Sequence, residues 1–385
     1  MRLNSSPSGS PPLSDDLLEA VRAYFLDHTA AETIAGHPNL VKVTTPAGVG
    51  RVRRWPTGVP AADVAFTREV MATARDAGNA AVPELVATPD APHEPALRIG
   101  SRLYDAQVWV PGTPPPRVEA AWPDPEDRID IPVVLSTGAF ANVIGDTARL
   151  HEATSTLAAR PDIPTAPLAM LPGAVRQSHG RHLGALRARA RREPAIQRWL
   201  ATGERLVAGA EPILLTATEQ QGSPPVVLHL GLWPAHVLLE GDAVVGLLGW
   251  ERVAAGSPLL DLAQATLRLQ GWSDDAVEVA LGAYAEIRSL SPDERRLLSA
   301  VAALDAVATT GRLLEQTYAV DETARPPTAL RAAIDMMLHS MTALDRHLIA
   351  QAAVGKSKRT PWRRGPRPTP PREGGKPRVR RRQRA

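Results

Sequence analysis

The chain has no cysteine in its 385 residues. A disulfide-stapled fold, a thiolate zinc site and a cysteine nucleophile are thereby excluded. Aromatic residues are scarce as well, 4% of the chain against 44% apolar and 22% charged, the balance of a soluble globular protein long enough to bury a substantial core. No apolar run approaches the roughly 20 residues that a membrane span requires. The Ser- and Pro-rich start, Met1 to Asp16, is not followed by an apolar stretch of signal-peptide length, so the expected location is cytoplasmic. Lysine is nearly absent before residue 355, Lys42 being the single one.

Charge is present but segregated. The net +3 hides a tail, Gly355 to Ala385, with 13 Lys and Arg against one acid, Glu373. The tail carries +12, and the preceding 354 residues carry −9, with 31 cations against 40 acids. The high pI therefore describes an appendage on an acidic body. Its mixture of Pro, Gly and Arg, with Trp362 and Val379 its main apolar residues, predicts a disordered basic tail over 355–385. Such a polycation suits a nucleic acid or another polyanion, with an affinity that falls steeply as salt rises.

Along the chain, a flexible leader (1–13) precedes a helix from Ser14 to His28, striped by Leu17, Leu18, Val21, Phe25 and Leu26. Strand-like runs follow at Asn39–Thr45, Val49–Trp55 and Arg102–Val110, with a helix over Asp63–Ala77. These make a small mixed lobe, 14–110. Val110-Pro-Gly-Thr-Pro-Pro-Pro116 reads as a hinge (111–116), and 117–354 reads as a mostly helical lobe. Helices are expected at Thr137–Leu157, His182–Gly203, Arg205–Gln221 and from Thr328, the last striped by Leu330, Ile334, Met337, Met341, Leu344 and Leu348 and ended by Gly355.

One insert, 226–250, reads differently. Two apolar runs, Val237–Leu239 and Val244–Leu248, flank a Gly241-Asp242 turn, the signal of a hairpin. Closing it brings position 236 beside 249, so the loop from His229 to His236 and the residue before Trp250 converge.

The hairpin and its flanks resemble the aminoglycoside phosphotransferase and choline kinase-like family, whose signature runs roughly His-Gly-Asp-Leu-x-Pro-x-Asn, a hairpin, Ile-Asp-Trp-Glu, then a helix opening with Asp. His229, Leu232, Pro234, Trp250, Glu251 and Asp261 stand at matching intervals. Upstream, Gly36 to Asn39 is similar to the family's nucleotide loop, Arg53 falls where its strand-three cation does, Glu69 on its helix Glu, and Leu150-His151 on the helix past the hinge. The resemblance spans about residues 15–320. It implies an α+β, two-lobed protein-kinase-like fold, an Arg53–Glu69 ion pair ordering the small lobe, a nucleotide site around Gly36, Asn39 and Arg53 with Lys42 in reach, and structural roles for His229, Trp250 and Asp261.

The departures from the pattern fall on the chemistry. The family's catalytic Asp lands on Gly231, its metal-binding Asn on His236 and its second metal-binding Asp on Gly249. Phosphoryl transfer of this kind needs a residue that orients the hydroxyl nucleophile and metal ions that neutralise the phosphates. Mg²⁺ asks for oxygen ligands, which glycine lacks and histidine replaces by nitrogen. The expectation is a pseudo-phosphotransferase whose cleft binds a small molecule or a protein, with any ATP held weakly and with little Mg²⁺ dependence. Two other readings stand beside it: an active ATP-dependent small-molecule kinase in which Glu251 supplies a displaced metal ligand, and a scaffold acting through its basic tail.

Overall fold

The computed structural model describes residues 13–34, 37–115, 131–219, 224–318 and 327–357. Contacts divide the chain into Met1–Ile349 and Ala350–Ala385. The first unit holds everything discussed below; the described part of the second is the end of the last helix, to Ser357. Gly36 and residues 358–385 of the tail lie outside the described residues.

The N-terminal part is an antiparallel sheet with a helix on each side of the chain's path through it. Helix α1 (Asp15–Tyr24) leads to β1 (Ala30–Ile34), β2 (His37–Thr45) and β3 (Gly48–Arg54); after α2 (Ala61–Asp76) come β4 (Leu85–Val86), β5 (Leu97–Ile99) and β6 (Arg102–Val108). The order is β1-β2-β3-β6-β4, with β5 beside β6. Strand alternation divides the side chains between two faces. Val41, Val43, Val52, Tyr104 and Ala106 bury against Leu17, Ala20, Val21 and Tyr24 of α1. The intervening residues, Lys42, Arg51, Arg53, Asp105 and Gln107, therefore share the opposite face.

The C-terminal part comprises α3 (Thr137–Ala153), β7 (Thr165–Ala166), α4 (Leu171–Leu186), α5 (Pro194–Glu219), β8 (Val226–Leu228), β9 (Val237–Glu240), β10 (Ala243–Leu247), β11 (Ala254–Gly256), α6 (Leu259–Leu269), α7 (Asp274–Ala285), α8 (Pro292–Tyr318) and α9 (Thr328–Ser357). Helix α8 is packed by α4, α5 and α6. Contrary to the expectation that no stretch approaches the length of a membrane span, this helix is long and apolar enough to cross a bilayer, and 78% of its most apolar window is buried inside the protein. The α9 stripe from Leu330 to Leu348 is buried as expected from its spacing.

The expected hairpin forms as β9 and β10, with Gly241 in the left-handed region at φ 61°. The turn end is anchored twice. Asp242 at the turn accepts from the Ser136 hydroxyl and, through its carbonyl, from the Asn142 amide at 2.9 Å. A Cβ on Gly138 would lie 2.5 Å from the Asp242 carboxylate, which would then have to shift from its place against the N-terminal turn of α3. Beside the same turn the hinge bridges to β9, Thr113 and Leu239 exchanging backbone hydrogen bonds of 3.1 and 2.9 Å.

Several boundaries differ from the sequence expectation. Helix α1 stops at Tyr24, leaving Leu26 71% exposed, because the chain turns at Phe25 to start the sheet. The expected break at Gly203 is absent. Gly203 continues α5 and packs near His179 and Val307, while the real break lies at 187–193, before Pro194 at the start of α5. Helix α9 also runs through Gly355, which does not end it.

Candidate functional site

The loop between β8 and β9 is held from beneath by Asp261, fully buried in the first turn of α6. Its carboxylate accepts from the His229 backbone N–H at 2.7 Å, from the Leu230 N–H at 2.8 Å and from His151 Nε2 at 3.0 Å. With Nε2 donating, His151 Nδ1 accepts from the Tyr284 hydroxyl at 2.9 Å. Burial opposes ionisation of Asp261, but the His151 hydrogen bond and the flanking imidazoles outweigh it and hold the carboxyl below its ordinary value. These two N–H bonds explain the strain at Leu230, which at φ 54° is the one non-glycine with positive φ among the described residues, in the position where the family signature carries glycine. Trp233 is fixed by the guanidinium groups of Arg268 and Arg312, 4.1 and 4.3 Å from its ring centre. The loop's architecture is thus intact.

His229 and Trp250 are structural here. The Trp250 indole donates to the Leu247 carbonyl at 2.7 Å, and its ring stands edge-on to His229 at 4.5 Å. Burial pushes the His229 imidazole down to about 4, against the pull of Asp261. It is neutral at neutral pH, with Nδ1 accepting from the Gly231 N–H at 3.2 Å.

The structure brings Gly231, His236 and Gly249 together and shows that they fit one another. His236 Nδ1 donates to the Gly231 carbonyl at 2.7 Å. Its ring fills the space beside Gly249, where a Cβ would lie 2.2 Å from Nδ1, and Gly249 has φ 82°, a conformation that disfavours side chains. A Cβ on Gly231 would come within 2.6 Å of the Gly249 carbonyl oxygen. The first obstacle is the ring of one side chain, whereas the second is backbone. An aspartate at 231 therefore requires the two backbone segments that carry Gly231 and Gly249 to shift.

Above this loop lies a cleft of about 500 Å³ between the sheet, the hinge and the hairpin. Leu40, Trp109, Val110, Leu238 and Leu248 give it apolar walls, and Arg51, Arg53, His236 and Glu251 give it polar ones. Arg53 is buried and fully engaged. Its Nε donates to Asp105 Oδ1 at 3.0 Å, a second nitrogen donates to Asp105 Oδ2, the third donates to Glu251 Oε1 at 2.8 Å, and the guanidinium stacks 4.0 Å from the Trp55 ring centre. Burial would lower the Arg53 pKa, but the two carboxylates hold it above its ordinary value. Burial would likewise raise Glu251; the charge and hydrogen bond of Arg53, with His236 close by, hold it down at about 2 although 40% of its side chain is exposed. Arg51, bound to the Gln107 amide oxygen, is pushed down to about 10 by burial and by the Arg53 charge.

The expected Arg53–Glu69 pair is not formed. Glu69 faces outward and binds Arg160 at 2.6 Å. Arg53 takes its counter-charge from Asp105, its direct cross-strand partner on β6, because side chains opposite each other in an antiparallel pair share a face. Asn39 also leaves the nucleotide set: its side chain accepts from Arg54 at 2.9 Å and does not line the cleft. Lys42 lies 3.8 Å from Glu32 and 5.3 Å from the Trp109 ring centre, at the edge of the cleft rather than in its lining. The sequence reading missed Asp105 and Gln107, whose only signal is their alternation on a strand whose register is not written locally.

No group of three His, Cys, Asp or Glu residues suited to a metal ion occurs among the described residues. His229 and His236 have no third partner of that kind, and Glu251 is engaged by Arg53. Gly231, His236 and Gly249 offer no carboxylate or amide side-chain oxygen of the kind Mg²⁺ takes.

Two outcomes follow for stability. Asp105→Ala should cost about 3–5 kcal/mol in denaturant unfolding, since it strands a buried guanidinium, whereas Glu69→Ala should change little. On acidification, the unfolded chain protonates His229 near pH 6.5 while the folded chain keeps it neutral down to about 4. Stability should therefore fall as pH drops through that window, by at most about 3 kcal/mol. Glu251 adds a later loss, from its ordinary range down towards pH 2. Unfolding curves from pH 7 to 4 check this, and His229→Gln should remove the upper stage.

Comparison with known proteins agrees with this geometry. The chain resembles in fold an aminoglycoside phosphotransferase from Alicyclobacillus acidocaldarius, at 18% identity and TM-score 0.60 over 92% of this chain and all of that one. A microcompartment-associated aminopropanol kinase matches at 13% identity and TM-score 0.56, over 87% of this chain and 97% of that one. A spectinomycin phosphotransferase solved with ADP and spectinomycin matches at 10% and 0.55, over 87% and 99%. No curated relative matches the chain. The model of the phosphotransferase enzyme family matches residues 35–300, well over half of the sequence, and with the kinase-like two-lobed fold and the Asp261-anchored loop already described, the chain belongs to that family.

Proposed function

We propose that this phosphotransferase-family protein binds a small molecule in its cleft without transferring a phosphoryl group. The observation that carries the reading is the contact at Gly231: the position of the family's catalytic Asp is closed by the Gly249 carbonyl, 2.6 Å from where a Cβ would lie. A positioned general base contributes about 10²- to 10⁴-fold to such a transfer, and metal ions contribute several kcal/mol more through charge neutralisation. Positions 231, 236 and 249 supply neither, and Glu251, a displaced carboxylate on the cleft wall, is engaged by Arg53. What this chain retains is the binding half of the machinery: an apolar cleft, a docked hinge and a loop held rigid by Asp261. That the spectinomycin phosphotransferase of similar fold was solved in complex with ADP and spectinomycin supports a nucleotide or another small molecule as the occupant.

Calorimetric titration with ATP, with and without Mg²⁺, tests the reading. Affinity should be weak and unchanged by the metal. Tightening of tenfold or more on adding Mg²⁺ would mean that an ion is coordinated and would overturn it.

A further inference from the structure

Resting on that reading, we infer that Glu251 makes the cleft selective for uncharged ligands, so that its occupant is a nucleoside-sized, flat, neutral molecule and not a polyphosphate. The cation nearest Glu251 on the cleft face of the sheet, Arg53, is already matched by carboxylates. Arg53 gives three nitrogens to Asp105 and Glu251 and one face to Trp55. Arg51 gives two nitrogens to the Gln107 amide. An anionic ligand reaching Arg53 would have to displace one of its two carboxylates and lie against the other.

Glu251 is the group that such a ligand meets. Asp105 is fully buried behind the guanidinium, but the Glu251 side chain is 40% exposed on the cleft wall and ionised at neutral pH. It stands two residues beyond Gly249 and completes from within the protein the ion pair that a bound phosphate would otherwise make with Arg53. Leu40, Trp109, Val110, Leu238 and Leu248 add contact area and an aromatic ring to the lining, and His37 and His236 add two imidazoles. About 500 Å³ is of the size that small-molecule sites commonly show.

Adenosine and ATP differ only in the triphosphate and make the test direct. Both are titrated calorimetrically into the full chain in metal-free buffer, so the outcome is separate from the Mg²⁺ dependence and turnover that decide the preceding proposal. Adenosine should bind at least as tightly as ATP. Glu251→Gln keeps a hydrogen-bond acceptor for Arg53 and removes the charge; it should improve ATP affinity tenfold or more and leave adenosine within twofold. Trp109→Ala, on the cleft wall, should weaken adenosine at least tenfold, and the unfolding midpoint of each variant checks that it is folded. ATP binding tenfold more tightly than adenosine to the unaltered protein, an ATP-to-adenosine ratio unmoved by Glu251→Gln, or no adenosine binding at all would each overturn the inference.

Discussion

Replacing Asp261 by alanine should lower stability by about 3–5 kcal/mol, the loss typical of removing one partner from a buried charged network. Three groups lose their acceptor at once: the backbone N–H groups of His229 and Leu230 and the Nε2 of His151. All three lie in or beside a fully buried site. The strained conformation of Leu230 loses the bond that holds it, which adds to the loss. A fall in the thermal midpoint on the order of 10 °C is expected for a protein of this size class. Asp261→Asn keeps one oxygen acceptor and should fall by clearly less. Thermal and denaturant unfolding of the two variants check the ranking; an alanine variant as stable as the parent would mean that the loop is not anchored through α6.

The second large effect is a failure to recover activity. Gly231→Asp, His236→Asn and Gly249→Asp together restore the family's residue types, but they do not restore its space. Shortening His236 clears the ring from beside Gly249, although an aspartate there still has to adopt φ 82°. At Gly231 the obstacle is the Gly249 carbonyl, and relief requires a shift of backbone. Overpacking of this kind costs about 1–3 kcal/mol, and a left-handed side chain roughly 1–2 more. The triple variant should therefore unfold several degrees below the parent and remain without metal-dependent ATP turnover. Turnover in a triple variant of unchanged stability would show that the loop is only three side chains away from an active one.

The sequence made some of this legible. The Gly241-Asp242 turn between two apolar runs announced the hairpin, because its geometry favours residues that tolerate positive φ. Closing that hairpin was enough to bring 231, 236 and 249 to one place. Asp261 and Trp250 were readable through their spacing from the loop. Register was not: Arg53 sits opposite Asp105 because of how β3 pairs with β6, 52 residues away, and no local pattern encodes that pairing. The same limit hid the outward turn of Glu69, since a helix position one step around the axis decides between cleft and solvent. The interlock of Gly231 with Gly249 was hidden too, because the sequence shows which side chains are missing and not what fills their place.

The most direct test of the central claim is a phosphoryl-transfer assay of the unaltered full-length protein with γ-labelled ATP, Mg²⁺ or Mn²⁺ and a panel of small hydroxyl-bearing acceptors. Label transfer and phosphate release should not exceed the protein-free control with any acceptor. Metal-dependent turnover above that control, abolished by Glu251→Gln, would contradict the account and identify Glu251 as a working metal ligand.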